Sequence, residues 1–228
     1  MSNPNTTITP EGYHVLTNDT HISRWVEEHK SLICDPYLFK WLLPKLEGVK
    51  RIWDVGAFIG DHTAAYLTIP GIEKVHAFEP NSDSYHCLEK NFSGREDCSC
   101  WNIAVSDTRE RLGFEPAPNA GASRMRETGK SSVTSFALDD FMEGTAPPEF
   151  IKIDVEGWEP RALRGMRKTI EAKRPMVFVE INAGALKDNG FSADDIFGFF
   201  KELGYTGRKP YPEHATPDQD QYDILFIP

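Results

Sequence analysis

The run Arg51-Ile52-Trp53-Asp54-Val55-Gly56-Ala57-Phe58-Ile59-Gly60 constrains this chain more than any other. It reads as a buried strand with an acid near its end, a turn bracketed by two glycines, and a helix starting at Asp61. Glycine at such a bend lets backbone amides approach a ligand that a Cβ would hold off. The helix start adds unpaired N–H groups and a partial positive charge suited to a carboxylate or phosphate. A second strand, Lys74-Val75-His76-Ala77-Phe78, stops at Glu79-Pro80. In nucleotide-binding α/β sheets a carboxylate at that place accepts hydrogen bonds from both ribose hydroxyls. An adenosine-containing ligand is the expectation.

The glycine pattern selects among such ligands. A dinucleotide fold uses G-x-G-x-x-G to bring a helix close to a pyrophosphate. This chain has G-x-x-x-G, with Phe58 at the middle position and Asp54 two residues before the first glycine. An acid there repels a pyrophosphate and suits the ammonium group of an amino-acid tail. S-adenosylmethionine offers that tail, a ribose for Glu79 and no phosphate. An NAD-dependent oxidoreductase is the rival enzyme, and a non-catalytic cofactor-binding protein on the same fold is the rival of another class.

Further along stand Ala77-Phe78-Glu79-Pro80-Asn81, Leu138-Asp139-Asp140-Phe141, Ile151-Lys152-Ile153-Asp154-Val155-Glu156-Gly157-Trp158-Glu159 and Tyr222-Asp223-Ile224-Leu225. With the glycine turn and the approach segment Tyr13 to His21, these blocks resemble the FkbM family of methyltransferases, in order and over nearly the whole chain. The resemblance implies a Rossmann-like class I methyltransferase fold, with a mostly parallel seven-stranded sheet, an antiparallel C-terminal edge and an N-terminal helical extension. It implies transfer of methyl from S-adenosylmethionine to a hydroxyl, often on a sugar or natural product. It places Asp54, Gly56, Ala57, Phe58 and Gly60 in the cofactor loop, and Glu79 and Pro80 in the ribose motif.

Composition narrows the partners. A formal charge of −10 opposes nucleic acid and anionic membranes at long range, leaving a small-molecule or glycan acceptor. A homo-oligomer stays open. The four cysteines (Cys34, Cys87, Cys98 and Cys100) form no C-x-x-C metal pattern, and Cys98 and Cys100 share one strand face, where packing is the expected role. The N-terminus lacks the apolar core of a signal peptide, and no run approaches a membrane span, so a cytoplasmic, reduced protein is expected.

The organisation reads as an extension over 1–48 carrying two helices, then a cofactor-binding domain over 49–228. Residues 1–10 read as irregular. Thr20 is the expected cap of one helix, and Asp35-Pro36 opens the next. Strands are expected near 51–55, 74–78, 99–105, 150–155 and 175–181, with helices near 61–68, 82–92, 136–143, 159–172 and 192–203. The alternation indicates a parallel sheet covered on both faces. Segments near 205–211 and 222–227 would add a hairpin. Glu115 to Ser132 reads as a loop and candidate lid, with Arg124, Arg126 and Lys130 available to an anionic substrate. Arg161, Arg164 and Lys168 read as a solvated basic stripe.

Methyl transfer needs acceptor oxygen, methyl and sulfur in line, and a group to take the hydroxyl proton. Candidates belong at the carboxyl ends of strands four and five: Asp154, Glu156 and Glu180. Three carboxylates around one pocket raise the pKa of one of them, making it a better base, or hold a divalent cation. Asp154 and Glu156, two apart in an extended run, would face one side. His62 reads as a capping or packing residue at the helix start, with a base role as the alternative. Strand order makes Asn102, Ala104 and Ser106 the expected adenine wall.

Overall fold

Two faces of apolar residues must be covered in this chain, and the computed structural model, which describes residues 5–115, 124–126 and 131–228, covers both with helices. The N-terminal residues differ from expectation. β1 (Thr6–Ile8) pairs antiparallel with β2 (His14–Leu16). Val15 and Leu16 are buried, and the Asn91 side chain bonds both the N–H and the carbonyl of His14. α1 (Ile22–His29) starts one residue later than a Thr20 cap would place it, with His21 at the cap position, and the Asp19 carboxylate accepts from the His21 and Ser23 amides. α2 (Pro36–Leu42) opens as expected, with Asp35 Oδ1 accepting from the Tyr37 and Leu38 amides. Pro44 ends it, and Leu43–Leu46 is a 3₁₀ turn.

The main body follows as β3 (Arg51–Val55), α3 (Asp61–Tyr66), β4 (Lys74–Phe78), α4 (Ser82–Asn91) and β5 (Cys98–Trp101). The strand expected over 99–105 is divided. It stops at Trp101, and β6 (Ala104–Val105) joins a second, four-stranded sheet with β7 (Arg111–Glu115), β8 (Arg124–Arg126) and β9 (Ser131–Phe136), in the order β6-β9-β7-β8. Within the expected lid, Glu115, Arg124–Arg126, Ser131 and Ser132 are strand, and residues 116–123 and 127–130 lie outside the described residues. Leu112 and Val133 pair across β7 and β9 and pack with Ala104 and Trp158. Arg124 and Arg126 stand in β8, while Lys130 lies outside the described residues.

α5 (Leu138–Phe141) and β10 (Phe150–Ile153) come next. The helix expected over 159–172 is broken into α6 (Glu159–Arg164) and α7 (Arg167–Lys173). β11 (Met176–Asn182), α8 (Ala183–Asp188), α9 (Ala193–Glu202), β12 (Gly207–Tyr211) and β13 (Gln221–Ile227) complete the chain; α8 was not foreseen. The order of the seven-stranded sheet is β12-β13-β11-β10-β3-β4-β5. Its five strands from β11 to β5 run parallel, and β13 is antiparallel to both its neighbours, as the expected hairpin edge requires.

Alternation along β3 divides the core. Trp53 and Val55 face the cluster containing Leu163, Met166, Ile170 and Phe200, under α5, α6, α7 and α9. Ile52 faces the cluster of Leu38, Phe39, Leu42, Leu46 and Tyr66, so α2 packs directly on the sheet. Cys98 and Cys100 share a face of β5, their sulfurs 3.9 Å apart, and pack with Leu88 and Phe92. The basic stripe is only partly solvated. Arg161 and Arg164 hold Asp107 at 2.6 and 3.1 Å, binding α6 to the segment after β6; Arg161 is largely covered, while Arg164 and Lys168 are exposed as expected.

Candidate active site

The sheet order reverses between β3 and β10, and open α/β sheets bind ligands in the crevice beyond such a switch point. Here two turns meet. Gly56 stands at φ +80°, and a Cβ on it would lie 1.7 Å from the Asp154 carbonyl oxygen. That contact makes glycine obligatory and brings the turn after β3 against the turn after β10. Gly60 opens α3 at φ +99°, where a Cβ would strike the Phe92 ring.

Glu79 ends its strand buried, but in contact with the turn. Its Oε2 accepts from the Phe58 amide at 2.9 Å and its Oε1 from the Asn81 amide at 2.8 Å. Phe58 itself has φ +50°, a strained conformation for a residue with a Cβ, and the Glu79 bond helps hold it. Burial raises the Glu79 carboxyl to about 7, against the pull of those two amides. Asn102 Nδ2 donates to the carbonyls of Glu79 and Pro80 at 2.8 and 3.2 Å, so the end of β5 fixes the segment after β4. Ala57 is buried, its amide donating to Phe78. Ala104 is fully enclosed with Leu112 and Trp158, and the Ser106 hydroxyl accepts from Trp158 Nε1 at 3.2 Å.

Asp54 is fully buried. Its Oδ2 accepts from Thr63 Oγ1 at 2.6 Å, and its Oδ1 lies 3.8 Å from Lys152 Nζ. The cation beside Asp54 thus belongs to the chain itself. Lys152 also donates to the Gly56 carbonyl at 2.7 Å and lies 3.4 Å from Asp154 Oδ2. Burial works to lower the Lys152 pKa, but the carboxylates of Asp154, Asp54 and Asp61 overcome it and raise it. An ammonium inside a parallel strand persists only with such partners. A lysine between Ile151 and Ile153 in an otherwise apolar run was the signal available in the sequence, and it was missed.

A cavity of about 340 Å³ opens over these turns. Gly56, Phe58, Asp61 and His62 form one wall, Lys152, Asp154, Glu156 and Glu180 another, and Asp19, His21, Ile22 and Gln221 close it. Asp154 and Glu156 do not meet by the pleat of a strand, because β10 stops at Ile153. Glu156 at φ +52° and Gly157 at φ +92° turn the chain instead, and a Cβ on Gly157 would lie 2.2 Å from the Ala185 carbonyl oxygen. Buried Glu159 braces this turn, its Oε1 accepting from the Val155 and Gly157 amides at 3.0 and 3.1 Å.

Glu180 sits within β11, one strand over, with Gln221 Nε2 donating to its Oε1 at 2.8 Å. Oxygens of Asp154, Glu156 and Glu180 all lie within 4.8 Å of one another. Burial first, then the charges of Asp154, Glu156 and Asp223, push the Glu180 pKa well above the usual carboxylate range. Asn182, beyond it, caps α8. His62 lines the cavity with Nδ1 3.1 Å from the Tyr66 hydroxyl, and burial, then Lys152, hold its pKa well below the ordinary value. Asp19, His21, Ile22, Asp61 and Gln221 are the other lining residues that were not among the candidate site residues read from the sequence. No helix among the described residues is long and apolar enough to cross a membrane.

Comparison with known proteins bears on this cleft. The chain is 33% identical over 153 residues to the hexuronic acid methyltransferase AglP of Haloferax volcanii, a match covering 64% of this chain and 62% of that protein. The chain therefore spans less than two thirds of that relative. The fold is shared with the FkbM methyltransferase of Methylobacillus flagellatus, at TM-score 0.57 and 20% identity, over 78% of this chain and 43% of that one. It is also shared with SMU.1697c of Streptococcus mutans, solved in complex with SAH, at TM-score 0.52 and 11% identity, over 83% and 94% of the two chains. The fold is the Rossmann-like one of class I methyltransferases, as the resemblance implied. The sequence pattern of the methyltransferase FkbM domain matches residues 54–206, from the acid before the glycine turn to the end of the last helix connection, and so the chain belongs to the FkbM methyltransferase family.

Proposed function

We propose that this protein transfers a methyl group from S-adenosylmethionine to a hydroxyl of a sugar or related polar metabolite. One observation carries the reading: a single cavity is walled by the glycine turn on one side and by Asp154, Glu156 and Glu180 on the other. In this reading Gly56, Ala57, Phe58 and Gly60 shape the turn against the cofactor, and Glu79 accepts from the ribose hydroxyls while Pro80 and Asn102 fix its segment. Each Glu79 oxygen already takes one amide and keeps a further lone pair for a hydroxyl. Asp54 acts through Lys152, keeping the turn and the acceptor wall in register, and Ala104 supports the adenine side from within the core. Asp154, Glu156 and Glu180 receive the acceptor and are the candidates to take its proton. A sugar acceptor agrees with the hexuronic acid named for the relative, and the cavity is of the size of small-ligand sites.

Calorimetric titration with S-adenosylmethionine, with NAD as control, tests this reading. We expect S-adenosylmethionine to bind in the micromolar range and NAD not to bind. Uptake of NAD, or of neither ligand by a folded sample, would remove the proposal.

A further inference from the structure

We propose that Asp154, Glu156 and Glu180 form a site for a hard divalent cation, Mg²⁺ or Mn²⁺, at the acceptor end of the cavity. The proposal rests on the methyltransferase reading only for what the ion does, not for whether it binds.

Two independent observations point to it. The first is convergence: one oxygen from each of three carboxylates, brought in from two strands' ends, lies within 4.8 Å of the others. Oxygen donors only, without nitrogen or sulfur, suit Mg²⁺, Mn²⁺ or Ca²⁺ rather than zinc. The second is an orphan. Glu180 Oε2 is buried and has no hydrogen-bond partner, whereas Oε1 of the same group is held by Gln221. A buried carboxylate oxygen without a partner is costly, so it marks a place where a ligand completes the structure.

Asp154 Oδ2 lies beside Lys152 and Glu180 Oε1 accepts from Gln221, so both carboxylates are held in orientation by the chain.

Three carboxylates leave part of an octahedral shell to water or substrate. Within the proposed reaction, the open positions suit an acceptor presenting two neighbouring oxygens, such as the adjacent hydroxyls of a sugar ring. Such an ion orients the acceptor toward the cofactor and makes its hydroxyl a stronger acid. It also admits an acceptor bearing a carboxylate, which the bare cluster would repel.

The test uses the purified full chain, without cofactor, titrated with MnCl₂ and read by calorimetry and by loss of the free Mn²⁺ paramagnetic signal. One Mn²⁺ per chain is expected, displaced by excess Mg²⁺. Glu180→Gln and Glu156→Gln should each weaken it by about tenfold or more, since even the outer contacts of metal ligands are worth about 10–100-fold. Thermal melts of both variants establish that they are folded; removing one of several crowded like charges should leave them at least as stable as the parent. No saturable uptake up to about 10 mM, beyond even weak oxygen-ligand sites at ~1 mM, would overturn the proposal. So would uptake unchanged in both folded variants, or simple competition between S-adenosylmethionine and Mn²⁺, which would assign the carboxylates to the cofactor's ammonium. Mn²⁺ uptake in a chain that takes up no S-adenosylmethionine would uphold the cation site and remove the methyltransferase reading instead.

Discussion

Glu79 shows how one side chain braces the glycine turn against which the proposed cofactor would sit. The carboxylate is buried, and it spends one lone pair of each oxygen on an amide, Phe58 on one side and Asn81 on the other. It therefore fixes the left-handed Phe58 before any ribose arrives, which is preorganisation of the kind that lowers the entropy cost of binding. Replacing it by alanine should weaken S-adenosylmethionine by about 1.5–3 kcal/mol, the worth of hydrogen bonds to a charged group. Calorimetry on the folded variant checks this, and unchanged affinity would remove Glu79 from the ribose. The pH dependence follows from burial, which raises this carboxyl to about 7. Below that value the group carries a proton and loses acceptor capacity, so affinity should fall as pH drops from 8 to 6, and level off above 8. The Glu79→Ala variant should lose that part of the profile.

At the level of elements, the break between α6 and α7 is a packing feature and not a propensity feature. Gly165 has φ −72°, an ordinary helical value, so alanine there would normally favour the helix by about 1 kcal/mol. Yet a Cβ at Gly165 would lie 1.9 Å from the Ser106 carbonyl oxygen and 3.2 Å from the Ala137 Cα. The helix end is pressed onto the segment joining β6 to the rest of the fold, where Arg161 and Arg164 also hold Asp107. Gly165→Ala should therefore destabilise by about 1–3 kcal/mol, as overpacking does, readable in urea unfolding. A stabilised variant would show that the contact yields freely. The same contrast explains what was legible in the sequence. β3, β4 and α4 could be read nearly to the residue, and the start of α2 at Asp35-Pro36 as well, because apolar runs and caps are local signals. The Gly165 break, the small sheet of β6 to β9 and the β1–β2 hairpin depend on partners distant in sequence. No local pattern announces such contacts.

Across the whole molecule, the acidic site reads out as a pH dependence of stability. The glycine turn, Glu79 and the carboxylates of Asp154, Glu156 and Glu180 were picked out from the sequence, but Lys152 and Asp61 were not, because their importance lies in burial beside one another's charges. Burial raises Asp61, Glu79 and Glu159 each to about 7, where an unfolded chain would have them near the ordinary carboxylate value. Between those values the folded state holds more protons than the unfolded one. Stability from these groups is then fully present at low pH and is lost as pH rises through about 7. Histidines pull the other way, but lower down: His76 falls to about 4 and His62 well below its usual value, both chiefly through burial. At pH 6.5 they are still about half protonated in the unfolded chain, so they offset part of the carboxyl slope and cease to contribute above about pH 7.5. From pH 6.5 to 8 the carboxyls outweigh them: the three together should cost on the order of 2 kcal/mol, and Asp223, raised by burial to about 8, adds in the same direction. For a chain of this length that corresponds to a fall in Tm of about 4–8 °C, measurable by calorimetric scans at constant ionic strength. A Tm that rises over that interval would mean that these three carboxylates are ionised in the folded protein, held so by charge compensation stronger than Lys152 and the backbone amides supply.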